Sequence, residues 1–301
     1  MKVTILGSGS ATPSLLRNPS AQVLSDDYEN YLIDCGESTQ IQLIKAKIKT
    51  NKIKNIFISH LHGDHYFGLI GLISSFNLSH RTESLTIFGP KGLDEIITLQ
   101  LKYAGTSLIY PLTFFELNTL EANLILETEH LTVYTIPLYH RIPCCGFLFK
   151  EKPKERKIIK EKIPVNATFE EIVLLKKGVD VLNFDQSVKY YYKDFTYEPI
   201  QNKIYAYCSD TAYNETIAEQ IKGCHLLYHE ATFRQDLLDR ATSTNHSTAK
   251  QAGKIAQLAM AEKLLIGHFS SRYHDLSDNL LEAREIFENT QIALEGETYT
   301  I

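Results

Sequence analysis

Three histidines and an aspartate fall within six residues, His60-Leu61-His62-Gly63-Asp64-His65, directly after the apolar run Ile53, Ile56, Phe57, Ile58. Imidazole nitrogens and a carboxylate suit zinc, and a loop at a strand end can turn several side chains onto one point without straining regular backbone. A solvated turn is normally built from Gly, Asn, Asp and Ser instead of three histidines. The chain must therefore fold so that a strand delivers this loop to a buried point, with other strand ends delivering more ligands to it.

Such candidates exist. His140 follows the strand-like Leu131 to Ile136, Asp210 follows Tyr205 to Cys208, and His268 follows Leu264 to Ile266. With His60, His62, Asp64 and His65 they make five imidazoles and two carboxylates without a thiolate, a composition that favours an open catalytic centre over a closed structural one. Two zinc ions about 3.5 to 4 Å apart lower the pKa of a bound water to about 7 and neutralise an oxyanion on the substrate. The five cysteines lack a Cys-x-x-Cys spacing, so neither a disulfide framework nor a thiolate zinc module is expected.

Strand-like runs at Lys2–Leu6, Ala21–Leu24, Tyr31–Ile33, Ile53–Ser59 and Leu85–Phe88 alternate with helical patterns at Thr39–Lys47, Tyr66–Phe76 and Leu93–Tyr103. The second half repeats the theme, with strands near Leu131, Gly146, Lys203, Leu226 and Lys263 and helices at Asn214–Ile221, Ser247–Met260 and Ser277–Phe287. This order predicts an α/β (α+β) fold, a sheet sandwich with helices outside, in one domain spanning 1–301. Residues 151–199 break the pattern and read as an insertion. From Lys150 to Lys162 seven basic residues, among them Lys150, Lys152, Lys154, Arg156 and Lys157, meet three acidic ones inside a chain of net charge −5. Basic groups followed by aromatics such as Tyr190 to Tyr192 are the ingredients of an RNA-touching arm, although most charge runs are only solvated surface. No run approaches the roughly 20 apolar residues of a membrane span, and no secretory leader is visible, so a soluble cytoplasmic protein without a membrane partner is expected.

The order strand, His-x-His-x-Asp-His, then later His, Asp and His, resembles the metallo-β-lactamase superfamily, whose fold is an αββα sandwich. Three further segments resemble its ribonuclease Z family, endonucleases that trim the 3′ trailer from precursor tRNA: Asp34-Cys35-Gly36-Glu37-Ser38-Thr39-Gln40, His229-Glu230-Ala231-Thr232 and His246-Ser247-Thr248. The resemblance implies that His60, His62 and His140 hold one zinc ion, that Asp64, His65 and His268 hold another, and that Asp210 bridges them. Manganese is the alternative metal. It makes Asp34, by itself a turn residue, a buried carboxylate behind the ligands. His246 becomes the acid that protonates the leaving 3′ oxygen, with Glu230 holding it charged and oriented. Asp64 orients or deprotonates the attacking water, while His229 and Thr248 support the segments.

Segment 151–199 would be the protruding tRNA-binding arm, and the chain would be a homodimer acting on precursor tRNA, with no DNA partner. Two departures stand out. Val165-Asn166-Ala167-Thr168 replaces the arm's Gly-Pro element, and the loop Pro13-Ser14-Leu15-Leu16-Arg17-Asn18 keeps Arg17 as a phosphate contact but has Leu15 where a lysine is usual. A small-molecule hydrolase of the same superfamily, acting on phosphodiesters, thioesters or sulfate esters, would share every ligand without needing a basic arm. A non-catalytic, metal-dependent RNA-binding protein would not need Glu230 and His246.

Overall fold

In the first of two seven-stranded sheets, the spatial order is Thr298–Thr300, Lys2–Gly7, Ala21–Ser25, Asn30–Ile33, Ile53–Phe57, Leu85–Gly89 and Leu112–Glu116. The second runs Thr290–Ile292, Lys263–Gly267, Leu226–Glu230, Ile204–Cys208, Cys145–Glu151, Leu131–Pro137 and Leu124–Glu127. The structure is a computed structural model that describes residues 1–12, 14–198 and 201–301. Among these no helix is long and apolar enough to cross a membrane.

Period-two alternation decides which way each side chain faces. In Ile53–Phe57, Ile56 packs toward the helical layer with Leu43, Leu69 and Ile73, while Phe57 turns to the other sheet, where its ring meets Phe147 at 5.3 Å and Phe149 at 5.4 Å. In Ile204–Cys208, Ala206 and Cys208 face helix Ala249–Leu258, whose Ala252 and Ala256 allow close approach. Tyr207 instead stacks with Phe147 and Tyr228. Each such large side chain, fully buried, contributes about 1.5–3 kcal/mol. The result is helix, sheet, sheet, helix, as the sequence pattern predicts.

Parallel pairing positions the site. Asn30–Ile33, Ile53–Phe57 and Leu85–Gly89 pair in parallel in one sheet, and Ile204–Cys208, Leu226–Glu230 and Lys263–Gly267 do so in the other. Within each set the loops that leave the C-terminal ends lie along one edge, the usual place for a site in such sheets.

Three local expectations change. The helix expected at Tyr66–Phe76 is two, Gly63–Tyr66 and Leu69–Leu78. They part at Gly68, whose N–H donates to the Cys35 carbonyl and where a Cβ would stand 2.1 Å from the Gly36 oxygen. Helix Ala249–Leu258 starts later than Ser247, because Thr248 forms a capping box with Gln251. The first sheet is completed by Thr298–Thr300 against Lys2–Thr4, a strand absent from those expected along the sequence.

The chain divides into two compact units. The first comprises Met1–Leu126, Val133–Phe149 and Ile204–Ile301; the second comprises Glu127–Thr132 and Lys150–Lys203. The second takes in more than the expected insertion at 151–199, because Lys152 donates from its N–H to the His130 carbonyl (2.7 Å) and from Nζ to Glu127 (2.7 Å). Inside it lie helix Phe169–Lys176, capped by Thr168 and Glu171, and the strand pair Val181–Leu182 with Val188–Tyr190. Thr168, in place of the Gly-Pro element, is therefore a helix cap. Pro199, the last residue of the expected insertion, lies outside the described residues.

Candidate metal centre and active site

The turn after Ile53–Phe57 buries Ser59 and His60 completely and then enters helix Gly63–Tyr66, whose first turn carries Asp64 and His65 inward. His268 is delivered just beyond Lys263–Gly267 at φ 59°. This left-handed conformation is uncommon for a non-glycine residue and is retained where surrounding contacts enforce it. Asp210 follows Ile204–Cys208 and is 2% exposed. Residues separated by up to 208 positions thus meet at one point.

Two groups form there. His60, His62, His140 and Asp210 offer ligand atoms within 4.8 Å of one another, and so do Asp64, His65 and His268. His62 Nδ1 stands 3.1 Å from both His60 Nε2 and His140 Nε2, and Asp210 Oδ2 lies 3.7 and 3.8 Å from the same two atoms. On the other side Asp210 Oδ1 lies 3.4 Å from His65 Nε2 and 3.1 Å from His268 Nε2, and Asp64 Oδ2 lies 3.4 Å from each. One carboxylate, Asp210, faces both groups.

The outward ring nitrogens explain why the inward ones suit a cation. His65 Nδ1 donates to Asp34 Oδ2 (2.8 Å), His140 Nδ1 to the Asn245 carbonyl (3.0 Å). Thr232 Oγ1 spends its proton on Glu230 Oε2 (2.7 Å), so it accepts from His268 Nδ1 (2.8 Å). In each ring the remaining lone pair sits on the inward Nε2, as in metal-binding histidines. His65 Nε2 is buried without a hydrogen-bond partner. Burial, then the neighbouring His65, holds His60 well below the ordinary imidazole range, and burial lowers His62 and His140 as well. Burial opposes charge on His65, yet Asp64, Asp210 and Asp34 outweigh it and raise its pKa. The carboxylates demand a positive charge at this point, and the donor set fits divalent cations.

Asp34, at φ 55° and fully buried, accepts from Ser59 N (2.8 Å), Ser59 Oγ (2.9 Å) and Tyr207 OH (2.6 Å) besides His65. Glu230, also fully buried, accepts from Thr211 N (3.0 Å) and Thr232 N (3.0 Å) and holds His246 Nδ1 at 2.8 Å. Burial opposes the charge on His246, but Glu230 outweighs it and raises the pKa to about 9. His246 also lies within ligand distance of Asp210 and His268; its Nδ1, however, is 3.9 Å from Asp210 and engaged by Glu230. His229 points elsewhere, donating from Nδ1 to the Glu230 carbonyl (2.7 Å). Thr248 caps its helix and touches Gln235.

Other expected contacts are placed differently. Arg17 is 8% exposed and donates from Nη2 to the Ser270 and Tyr273 carbonyls (3.2 and 2.5 Å), so its guanidinium braces two chain segments and is not open to a phosphate. Leu15 is fully exposed; Pro13 of the same loop lies outside the described residues. Arg156 forks onto Glu198 (3.0 and 2.9 Å) and lies over the Tyr192 ring, while Lys152 pairs with Glu127 and Lys154 with Glu151. Lys150 is half-buried and Lys157 exposed. Sequence reasoning missed the cations of the site itself: Arg141, Arg240 and Arg272 line a cavity of about 540 Å³ together with His62, Asp64 and His246. Arg240 and Arg272 both approach the Phe233 ring, at 6.0 and 5.2 Å. Proximity in sequence to His140 and His268 was the available signal for two of them.

A sheet sandwich with His and Asp residues gathered at its strand ends defines a metal-dependent hydrolase of the metallo-β-lactamase fold. The structure is similar to human tRNase Z, short form, at TM-score 0.73 and 26% identity over 100% of this chain and 99% of that one. It is also similar to the metallo-beta-lactamase fold protein YhfI from Bacillus subtilis, at TM-score 0.69 and 18% identity over 99% and 98%. A family model described as Anti-Pycsar protein Apyc1 matches residues 1–159, so the N-terminal half also falls under that description. Ribonuclease Z of Cytophaga hutchinsonii is 50% identical over 99% of this chain and 95% of that protein, and ribonuclease Z of Bacteroides thetaiotaomicron 45% identical over 99% and 94%. The chain belongs to the ribonuclease Z family.

Proposed function

We propose that this protein is an endoribonuclease that removes the 3′ trailer of precursor tRNA by phosphodiester hydrolysis, leaving a 3′ hydroxyl on the tRNA. The observation that carries the reading is the Glu230–His246 pair, 2.8 Å apart, beside the cluster of seven ligands. A departing 3′ alkoxide is a poor leaving group, and a positioned histidine acid contributes about 10²- to 10⁴-fold.

In this reading His60, His62 and His140 hold one zinc ion, Asp64, His65 and His268 hold a second, and Asp210 serves both, with manganese as the alternative. When bound, the metal ions supply an activated water and neutralise charge on the phosphate. The chain's own residues do the rest. Asp64 orients the attacking water. His246 hands its proton to the leaving O3′, and Glu230 keeps that imidazole charged and aimed. Arg141, Arg240 and Arg272 offer planar guanidinium groups to the neighbouring phosphates. The 1–301 chain acts as one catalytic domain whose segment 151–199, with Lys150 just before it, grips the RNA body in a salt-sensitive way, through Lys150 and Lys157 and, once phosphates replace Glu127, Glu151 and Glu198 as their partners, through Lys152, Lys154 and Arg156. The protein works as a homodimer in the cytoplasm.

The test is incubation of a 3′-extended precursor tRNA with zinc-loaded protein, with Asp64→Ala as control and the product ends mapped. Cleavage next to the discriminator base supports the reading and shows that Leu15 is tolerated; cleavage after CCA keeps the enzyme and changes its position rule. No cleavage, with bis(p-nitrophenyl) phosphate or a thioester still hydrolysed, replaces the RNA substrate with a small ester.

A further inference from the structure

A second hollow, of about 800 Å³, adjoins the cavity that holds His246, and His62 lines both. Leu61, Pro90, Leu117, Leu120, Ile142 and Pro143 give it an apolar lining, and Lys91, Glu116 and Asn118 add polar groups. Leu120 is 84% exposed. The proposed catalytic steps use none of these side chains, although the hollow shares a wall with the ligand cluster. Its size falls in the roughly 300–1,000 Å³ typical of sites that enclose small organic groups.

We infer that this hollow receives the base of the first nucleotide of the departing trailer, an inference that rests on the tRNA-processing reading above. In that reaction the water oxygen forms a bond to phosphorus as the water gives up one proton to Asp64, the P–O3′ bond breaks, and the His246 proton goes to O3′. The phosphate stays on the trailer. The leaving O3′, and with it the tRNA body, is therefore on the His246 side, in the cavity lined by Arg240 and Arg272. The O5′ ester carries the trailer away from His246, and the hollow across His62 is the adjoining space. Its chemistry suits a nucleotide: apolar walls for the faces of a base, a Lys91 cation for the following phosphate, and Asn118 and Glu116 for base edges. Apart from His62, which the proposed metal set engages, it has no aromatic side chain among its lining residues, so it takes a base mainly by burial and not by stacking, and it discriminates weakly between bases.

The test compares two precursors that differ only at the first trailer position, one with its base and one abasic, using metal-loaded wild type, Leu120→Asp and Ile142→Ser. The expected result is a loss of roughly tenfold in kcat/KM for the abasic precursor with wild type, and a ratio that falls toward one in both variants because only the intact precursor loses. Equal cleavage of the two precursors by wild type overturns the assignment while leaving the processing reading intact, as does an unchanged ratio in both variants. Failure of wild type to cut either precursor while it hydrolyses bis(p-nitrophenyl) phosphate overturns the processing reading, and the trailer pocket with it.

Discussion

Asp34→Asn is the substitution that most directly probes how the metal centre is held. The carboxylate accepts four hydrogen bonds: Ser59 N on Oδ1, and Ser59 Oγ, Tyr207 OH and His65 Nδ1 on Oδ2. Asparagine keeps the shape and tolerates the left-handed φ of 55°, but it has one acceptor oxygen where the carboxylate has two. With that oxygen placed at Oδ2, the amide nitrogen confronts the Ser59 N–H, and one buried donor loses its partner at a cost of about 1–3 kcal/mol. The charge that fixes the His65 tautomer is lost as well, and removal of such a partner typically lowers metal affinity about 10- to 100-fold. The expected outcome is a folded protein that is destabilised by about 1–3 kcal/mol as the EDTA-treated form in urea. It should release zinc to a competing chelator at a concentration lower by one to two orders of magnitude. Wild-type zinc affinity together with wild-type stability would refute the claim that Asp34 organises His65.

His246→Ala should lower cleavage of precursor tRNA by about 10²- to 10⁴-fold with full metal content by elemental analysis; loss of metal would make His246 a ligand. Removal of metal with EDTA should abolish hydrolysis and zinc should restore it, whereas Asp210→Ala should not regain stoichiometric metal on reloading. Arg272→Ala should weaken precursor binding and flatten the plot of log affinity against log salt by about 0.7–0.9 if the side chain meets one phosphate; an unchanged slope would assign it a purely structural part. Arg17→Ala should cost about 1–3 kcal/mol of stability by leaving the Ser270 and Tyr273 carbonyls without their donor; unchanged stability with weaker RNA binding would return Arg17 to the phosphate. Deleting residues 151–199 should weaken binding of precursor tRNA and spare a small phosphodiester.

The elements and the ligands were legible for a local reason. Each strand carries its own period-two pattern, and each proposed metal ligand sits just after one, so His60 to His65, His140, Asp210 and His268 could be chosen by position along the chain alone. Asp34, Glu230 and His246 needed the family resemblance, because a lone acidic residue or histidine after a strand looks the same whether it faces water or the core. Arg141, Arg240 and Arg272 escaped notice, since an arginine in a loop announces no direction. Arg17 and Arg156 were read as open cations, and the structure instead closes them onto carbonyls and onto Glu198.

The sequence by itself determined the alternation of strands and helices, the donor chemistry of the centre and the basic segment after Lys150, all of which depend on neighbours a few residues apart. Tertiary structure alone decided that Asp210 faces both ligand groups, that Thr232 passes its proton to Glu230 and so sets the His268 tautomer, and which arginines line the cavity. Those outcomes depend on the register of parallel strands and on partners tens to hundreds of residues away, where hydrogen bonds and burial select one pairing from many that the local sequence permits equally.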